Sequence, residues 1–239
     1  MDNYYNDFYQ ELSKLDEAGN TFEKIEDFLP SLNGDEKILD IGCGHGGVSE
    51  ELIKRGFSVT GLEINDDAIN SLKNKGFTAI KKDITKPLEL NNKYDLTMLL
   101  DVLEHVFEPY QLLKEAKKVT KADGYIIVSV PLYFDIVDRI KILFTGSVIS
   151  MDNLCYGKEN YKKFRSYNYD HIRFFRPKEV IEMGERLDLQ IDKIEYFATG
   201  YSGQNIFLKL LIKFIANKYT VKINPNLLAH NMKIRWKLK

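Results

Sequence analysis

Four carboxylates in the first half of the sequence stand where predicted strands end: Asp40, Glu63, Asp83 and Asp101. Carboxylates accept hydrogen bonds from the hydroxyl and amino groups of a ligand. Glu63 comes about 20 residues after Gly42, the spacing at which an acid binds the two ribose hydroxyls of a nucleotide. Asp83 is placed to accept from an adenine amino group. The acids therefore predict a site for a cofactor that contains adenosine.

A glycine-rich turn, residues 42–47, follows the first predicted strand. Glycines let the backbone approach a ligand closely, and the N–H groups of the next helix then face that ligand. Gly42, Gly44 and Gly47 match G-x-G-x-x-G, which leaves a dinucleotide and other adenosine cofactors both open. We expect Cys43 to be a small turn residue rather than a nucleophile. The candidate cofactor-binding residues are Asp40, Gly42, Cys43, Gly44, Glu63, Ile64, Asp83, Ile84, Leu100 and Asp101.

A second polar group follows the predicted strand 94–100, where the reactive part of the ligand should lie. Asp101, Glu104 and His105 are at positions i, i+3 and i+4, so they share one face if this stretch is helical. His105 and His171 are candidate catalytic bases, because an unperturbed imidazole titrates at about pH 6.5. Alternatively, Glu104 orients a helix and His105 hydrogen-bonds the cofactor or the acceptor.

Strands and helices must alternate along the chain to position these residues. Predicted strands cover 37–41, 57–63, 77–81, 94–100, 124–130, 189–198 and 228–238. Predicted helices cover 4–16, 20–29, 46–55, 66–75, 107–119, 135–145, 177–187 and 205–218. Alternation at this spacing predicts an α/β fold, with a mostly parallel sheet covered by helices on both faces. Ligands of such sheets bind beyond the carboxyl ends of the strands.

The chain divides into a helical flap, residues 1–33, and one large domain, residues 34–239. Insertions at 131–176 and 200–225 leave the sheet at the predicted cofactor edge, and long loops of this kind are often lids or binding loops. We expect them to form the acceptor side. Its predicted aromatic walls are Tyr133, Tyr156, Tyr161, Phe164, Tyr167 and Tyr169.

The net charge of −1 hides a marked asymmetry. No acid follows Glu195, and residues 196–239 carry eight of the 34 Lys and Arg, so the rest of the chain sums to 26 − 35, or −9. An acidic body argues against nucleic acid as a partner. Two cysteines and no recognisable signal peptide predict a reducing, cytoplasmic location.

Taken together, these motifs resemble class I S-adenosylmethionine-dependent methyltransferases. The residues that carry the resemblance are the turn after Asp40, the acids Glu63 and Asp83, and the stretches 101–105 and 170–177. The resemblance implies a seven-stranded sheet whose last strand is antiparallel. It also implies that Asp40 and the glycine turn hold the amino-acid end of the cofactor, Glu63 the ribose and Asp83 the adenine.

The 101–105 stretch is similar to the acid-x-x-Glu-His cluster of small-RNA 2′-O-methyltransferases and ubiquinone-pathway O-methyltransferases, which hold a divalent ion there. The resemblance implies four metal ligands, Asp101, Glu104, His105 and His171, although those families mostly have Glu where this chain has Asp101. Two carboxylates and two imidazoles suit Mn²⁺, Fe²⁺ or Zn²⁺ at least as well as Mg²⁺.

The function that we predict is methylation of a hydroxyl on a small molecule, a sugar or a glycan precursor. RNA 2′-O-methylation is the alternative within this class, and an NAD(P)-dependent oxidoreductase is the alternative outside it. The basic C-terminal segment predicts peripheral contact with the inner face of a membrane, whereas the other interpretation buries the 205–218 helix inside the protein.

Overall fold

Seven strands form one sheet, as predicted. The computed structural model describes residues 25–146, 171–200 and 205–239. In these residues the sheet order is β3-β2-β1-β4-β5-β7-β6, and only β7 runs antiparallel to its neighbours. The strands are β1 Lys37–Ile41, β2 Ser58–Glu63, β3 Thr78–Lys81, β4 Tyr94–Leu100, β5 Thr120–Pro131, β6 Gln190–Ala198 and β7 Ala229–Lys237.

Six helices of the described residues overlap predicted ones, whereas two short helices after residue 218 were not predicted. They are α1 Gly47–Lys54, α2 Asp66–Asn74, α3 Pro109–Val119, α4 Ile136–Thr145, α5 Pro177–Glu185, α6 Ile206–Ile215, α7 Thr220–Ile223 and α8 Pro225–Leu228, with a 3₁₀ turn at Leu103–His105. Most of the predicted flap, including the 4–16 helix, falls outside the described residues. None of the helices in the described ranges is long and apolar enough to cross a bilayer.

The core has two parts, one on each face of the sheet. Ile127 of β5 belongs to one buried cluster, which includes α1, and its neighbours Ile126 and Val128 belong to the other, which includes α3 and α5. Successive residues of a strand point to opposite faces, so a strand that is apolar at every position is buried on both sides. This explains the continuous apolar sequence of β5.

The last strand in sequence, β7, lies inside the sheet rather than at its edge. It pairs with β5 and with β6, and its Met232, Ile234 and Trp236 side chains are buried. Two neighbouring strands supply hydrogen-bond partners for both of its backbone edges. The last strand in sequence therefore joins β6 to the rest of the sheet.

Two predicted boundaries differ from the structure by three or more residues, for local reasons. Strand β5 begins at Thr120 instead of residue 124, because Thr120 pairs with Tyr94 before the register shifts. Helix α6 ends at Ile215 instead of residue 218. The Asn217 side chain accepts hydrogen bonds from the N–H groups of Tyr219 and Thr220, which favours a turn over a continued helix.

Replacing Gly184 of α5 by alanine should destabilise the protein. A Cβ atom at Gly184 would lie 2.5 Å from the indole ring of Trp236. Overpacking costs about 1–3 kcal/mol, more than the roughly 1 kcal/mol that alanine gains over glycine in a helix. Urea denaturation should show a lower free energy of unfolding. In a Trp236→Phe background the same change should cost less, and an equal cost in both backgrounds would contradict this packing.

Candidate active site

The turn between β1 and α1 lies at the carboxyl edge of the sheet, where the candidate site is. Gly42 has a φ of +71° and its N–H donates to the Leu62 carbonyl at 2.9 Å. A Cβ atom there would lie 2.8 Å from Val102, so the turn requires glycine. At Gly44, with a φ of +52°, an added Cβ would have no atom within 4 Å. One side of the turn is therefore packed and the other is open to a ligand.

Asp40 lies under this turn, one residue before β1 ends. Its side chain is 4% exposed and accepts a hydrogen bond of 2.6 Å from the Ser49 hydroxyl of α1. Burial raises the pKa of Asp40 to about 6, while the Ser49 hydrogen bond lowers it and the Glu63 charge raises it. A positively charged ligand group would stabilise the ionised form of this carboxyl.

Glu63, the last residue of β2, is connected to the same turn. One carboxylate oxygen accepts from the Gly44 N–H at 3.0 Å. The other accepts from the N–H groups of Ile64 and Asn65 at 2.7 and 2.9 Å. A carboxylate has about four acceptor positions, so Glu63 retains capacity for the hydroxyls of a ligand.

Cys43 has the character of a turn residue, as expected from the sequence. Burial raises the pKa of its thiol far above the usual range, and the charges of Asp40 and Glu63 add to this effect. The thiol therefore stays protonated at neutral pH. Because the thiolate is the nucleophilic form of cysteine, Cys43 is unsuited to nucleophilic chemistry.

Asp83 follows β3 at the same edge and is only partly buried. It accepts from the Thr85 N–H and hydroxyl, at 3.0 and 2.6 Å, and pairs with Lys86 at 3.0 Å. Burial raises the pKa of Asp83, but the bonds from Thr85 and Lys86 outweigh it, and the pKa lies below its ordinary value. The half-buried Ile64 and Ile84 adjoin Glu63 and Asp83 and offer apolar surface there.

Asp101 departs from the predicted arrangement. The chain turns at Asp101, which has a φ of +54°, and its carboxylate accepts from the Ser129 hydroxyl at 2.5 Å. Only the three residues Leu103–His105 form a helical turn. The prediction that Asp101 shares a helix face with Glu104 and His105 is therefore wrong. A residue with positive φ cannot belong to a right-handed helix.

Glu104, His105 and His171 come together at this edge. The Nε2 atoms of His105 and His171 lie 3.9 and 4.0 Å from Oε1 of Glu104, and the two imidazole centroids are 4.7 Å apart. One potential ligand atom from each residue lies within 4.8 Å of the others. Glu104 is 0% exposed. Among the described residues, three of the four predicted metal ligands thus form one group, and Asp101 is not part of it.

Backbone hydrogen bonds bring His171 to this group across a long stretch of sequence. The N–H groups of Ile172 and Arg173 both donate to the Glu104 carbonyl, at 2.9 and 3.1 Å. The Arg173 guanidinium also donates to the Phe107 carbonyl at 3.1 Å. Residues 171–173 are therefore held against the turn that carries Glu104 and His105.

Tyr133 has a role that sequence reasoning missed. Its hydroxyl is hydrogen-bonded to Nδ1 of His171, and its N–H donates to the Phe175 carbonyl at 3.2 Å. The sequence predicted Tyr133 only as a wall of the acceptor side. Its position directly beyond β5, at the cofactor edge, was the available signal. The other predicted wall residues, Tyr156, Tyr161, Phe164, Tyr167 and Tyr169, lie outside the described residues.

Comparison with known proteins identifies the family. Residues 9–194 match the methyltransferase domain family. The ubiquinone biosynthesis O-methyltransferase of Shewanella pealeana is 24% identical over 161 residues, 64% of this chain and 63% of the relative. The protein of the same name from Rickettsia bellii is 25% identical over 179 residues, 72% of this chain and 69% of the relative. The first of these matches thus spans less than two thirds of the relative's length.

Solved structures share the fold. A SAM-dependent methyltransferase from Archaeoglobus fulgidus has a TM-score of 0.61 and 22% identity, covering 90% of this chain and 92% of that one. Magnesium protoporphyrin IX methyltransferase from Synechocystis, solved with bound SAM, has a TM-score of 0.51 and 14% identity, covering 86% and 71%. The seven-stranded, mostly parallel sheet of this chain agrees with the matched domain and with these solved structures. The chain belongs to the methyltransferase domain family, among the class I S-adenosylmethionine-dependent methyltransferases.

Proposed function

We propose that this protein transfers a methyl group from S-adenosylmethionine to a hydroxyl oxygen of a small molecule, a sugar or a glycan precursor. The observation that carries the proposal is the Glu104–His105–His171 group, which lies at the sheet edge where the family binds its cofactor. Methylation of a hydroxyl requires removal of a proton, and imidazole is suited to this task near neutral pH. Relatives named O-methyltransferases support the same choice of acceptor atom.

The residues at the carboxyl edge fit S-adenosylmethionine. The cofactor supplies a methyl group on a positively charged sulfur. Asp40 would face its ammonium group, Glu63 has acceptor capacity for the ribose hydroxyls, and Asp83 would accept from the adenine amino group. The open side of Gly44 leaves room for the ligand against the backbone. The main contribution of these residues is to orient the cofactor for methyl transfer, and such orientation can supply a large part of the rate enhancement.

His105 and His171 are the groups that we propose to act on the acceptor hydroxyl. Oε1 of Glu104 lies 3.9 and 4.0 Å from the Nε2 atoms of His105 and His171, where an ionised carboxylate would stabilise the imidazolium that forms when a base takes the acceptor proton. The Tyr133 hydroxyl on Nδ1 of His171 holds that ring in orientation. This pairing directs Nε2 of His171 towards Glu104 and the site.

A divalent ion held by the same three residues is the second candidate mechanism. One carboxylate and two imidazoles match a donor set that binds Fe²⁺, Mn²⁺ or Zn²⁺. Such an ion would lower the pKa of an acceptor hydroxyl. Asp101 does not contribute to this set, so the proposal is a three-residue site rather than the four-residue site expected from the sequence.

The acceptor class rests on the chemistry around this group. The buried Tyr133 ring packs edge-to-face against the partly buried Phe174 ring, with centroids 4.8 Å apart, beside His171. The accessible part of the Phe174 ring offers aromatic surface that suits sugar or quinone-type rings, which supports a role in glycan or quinone-precursor metabolism. The −9 charge of residues 1–195 disfavours RNA as the acceptor. The two cysteines support a cytoplasmic setting.

Glu63→Gln should weaken cofactor binding. Hydrogen bonds to a charged group contribute about 1.5–3 kcal/mol, so the dissociation constant for S-adenosylmethionine, measured by calorimetry, should rise about 10- to 100-fold. Glu185→Gln, an exposed acid on α5, is the matched control and should bind like the wild type. Equal affinity in all three proteins would contradict the assignment of Glu63.

Cofactor affinity should depend on pH through Asp40. The free protein holds this carboxyl with a pKa of about 6, and a bound ammonium group would lower that pKa. Binding therefore releases a proton and strengthens as pH rises. The affinity should be about tenfold lower at about pH 5 than at about pH 7. Asp40→Asn should bind weakly with little pH dependence. A wild-type affinity that does not change with pH, or increases on acidification, would contradict this role.

His105→Ala and His171→Ala should lower kcat about 10²- to 10⁴-fold without weakening cofactor binding. Turnover can be followed as S-adenosylhomocysteine release on catechols, sugar nucleotides and a short RNA, with His230→Ala as the control. In the base mechanism, kcat falls at low pH and chelation has no effect. In the metal mechanism, the protein purified without chelator contains one ion, which Glu104→Gln removes. Normal turnover of both histidine variants would rule out both roles.

A further inference from the structure

Helix α6 presents an apolar face to solvent. Phe207 and Phe214 are 82% and 81% exposed. Three more large apolar side chains of the helix are exposed with them: Ile206, Leu210 and Leu211. Soluble proteins rarely expose contiguous apolar surface of this kind without an interaction that covers it.

The opposite face of α6 packs against the core of the protein. Ile212 is only 3% exposed, and the partly buried Leu208 and Ile215 pack against the same core cluster. With 3.6 residues per turn, these three side chains and the exposed five lie on opposite faces. The interpretation that buries the whole helix inside the protein does not agree with these exposures. The helix is anchored on one side and apolar on the other.

Every charged side chain in the C-terminal segment, residues 196–239, is positive. Lys209 and Lys213 border the exposed apolar residues on α6. Lys218 precedes α7, and Lys222 lies within it. No acid occurs in residues 196–239. A second copy of the chain would bring these lysines together, whereas anionic headgroups would be attracted to them. Lysine beside an apolar helix face is typical of helices that lie in a membrane interface.

The segment that carries α6 leaves and re-enters the sheet at the edge that carries the candidate site. Strand β6 ends at Ala198 and the antiparallel β7 begins at Ala229, so the segment between them starts and finishes at the carboxyl edge of the sheet. Helix α4, which follows β5 at the same edge, also has exposed apolar residues, Leu143 and Phe144. We propose that α6 docks this protein on an anionic lipid bilayer through its exposed apolar face and flanking lysines.

The proposal is independent of methyl transfer and can be tested by co-sedimentation with vesicles. The full chain should bind vesicles of phosphatidylglycerol and phosphatidylcholine in equal amounts, and bind vesicles of phosphatidylcholine alone much more weakly. Binding should weaken with added salt, because screening reduces the attraction between charges. Equal binding to both kinds of vesicle, or to neither, would overturn the proposal.

Two double variants test the residues. Lys209→Gln with Lys213→Gln should weaken binding about fivefold for each charge removed, and Phe207→Ser with Phe214→Ser should abolish it. Lys114→Gln with Lys178→Gln, on α3 and α5, is the matched control and should bind normally. Unchanged circular dichroism melting would show that the variants fold. A wild-type dimer in sedimentation velocity that the phenylalanine variant dissociates would instead assign this face to a second copy and overturn the proposal.

Discussion

The hydrogen bond from the Gly44 N–H to the Glu63 carboxylate connects the turn after β1 to the end of β2, the two elements that build the proposed cofactor side of the site. Gly44 belongs to the turn after β1, and Glu63 ends β2. The bond orients the Glu63 carboxylate, and its donor belongs to the glycine turn that a ligand must approach. It requires a glycine turn with positive φ and an acid at the end of the neighbouring parallel strand. Both requirements are visible as spacing in the sequence.

The strand ends that carry the proposed cofactor-binding acids could be predicted because their determinants are local. Apolar runs that end in Asp40, Glu63 and Asp83 mark strand ends, and parallel strands bring their carboxyl ends to one edge. Asp101 could not be predicted in the same way. Its backbone conformation accompanies a bond to Ser129, which lies on another strand, and no local pattern distinguishes that conformation from a helix.

The reactive side depends on contacts between residues far apart in sequence. His171 reaches Glu104 because the N–H groups of Ile172 and Arg173 bind the Glu104 carbonyl. Spacing cannot reveal such a contact, and only the resemblance to known methyltransferases paired the two motifs. The same limitation applies to Tyr133, whose bond to His171 becomes evident only in three dimensions. The exposed face of α6 was equally hidden, since a periodic apolar pattern does not tell which face is buried.

The most direct test of the central claim is a crystal structure of the protein grown with S-adenosylhomocysteine. We expect the ribose hydroxyls on the Glu63 carboxylate, the amino-acid end beside Asp40, and the sulfur facing Glu104, His105 and His171. A ligand bound elsewhere, or with its sulfur directed away from the two imidazoles, would contradict the account.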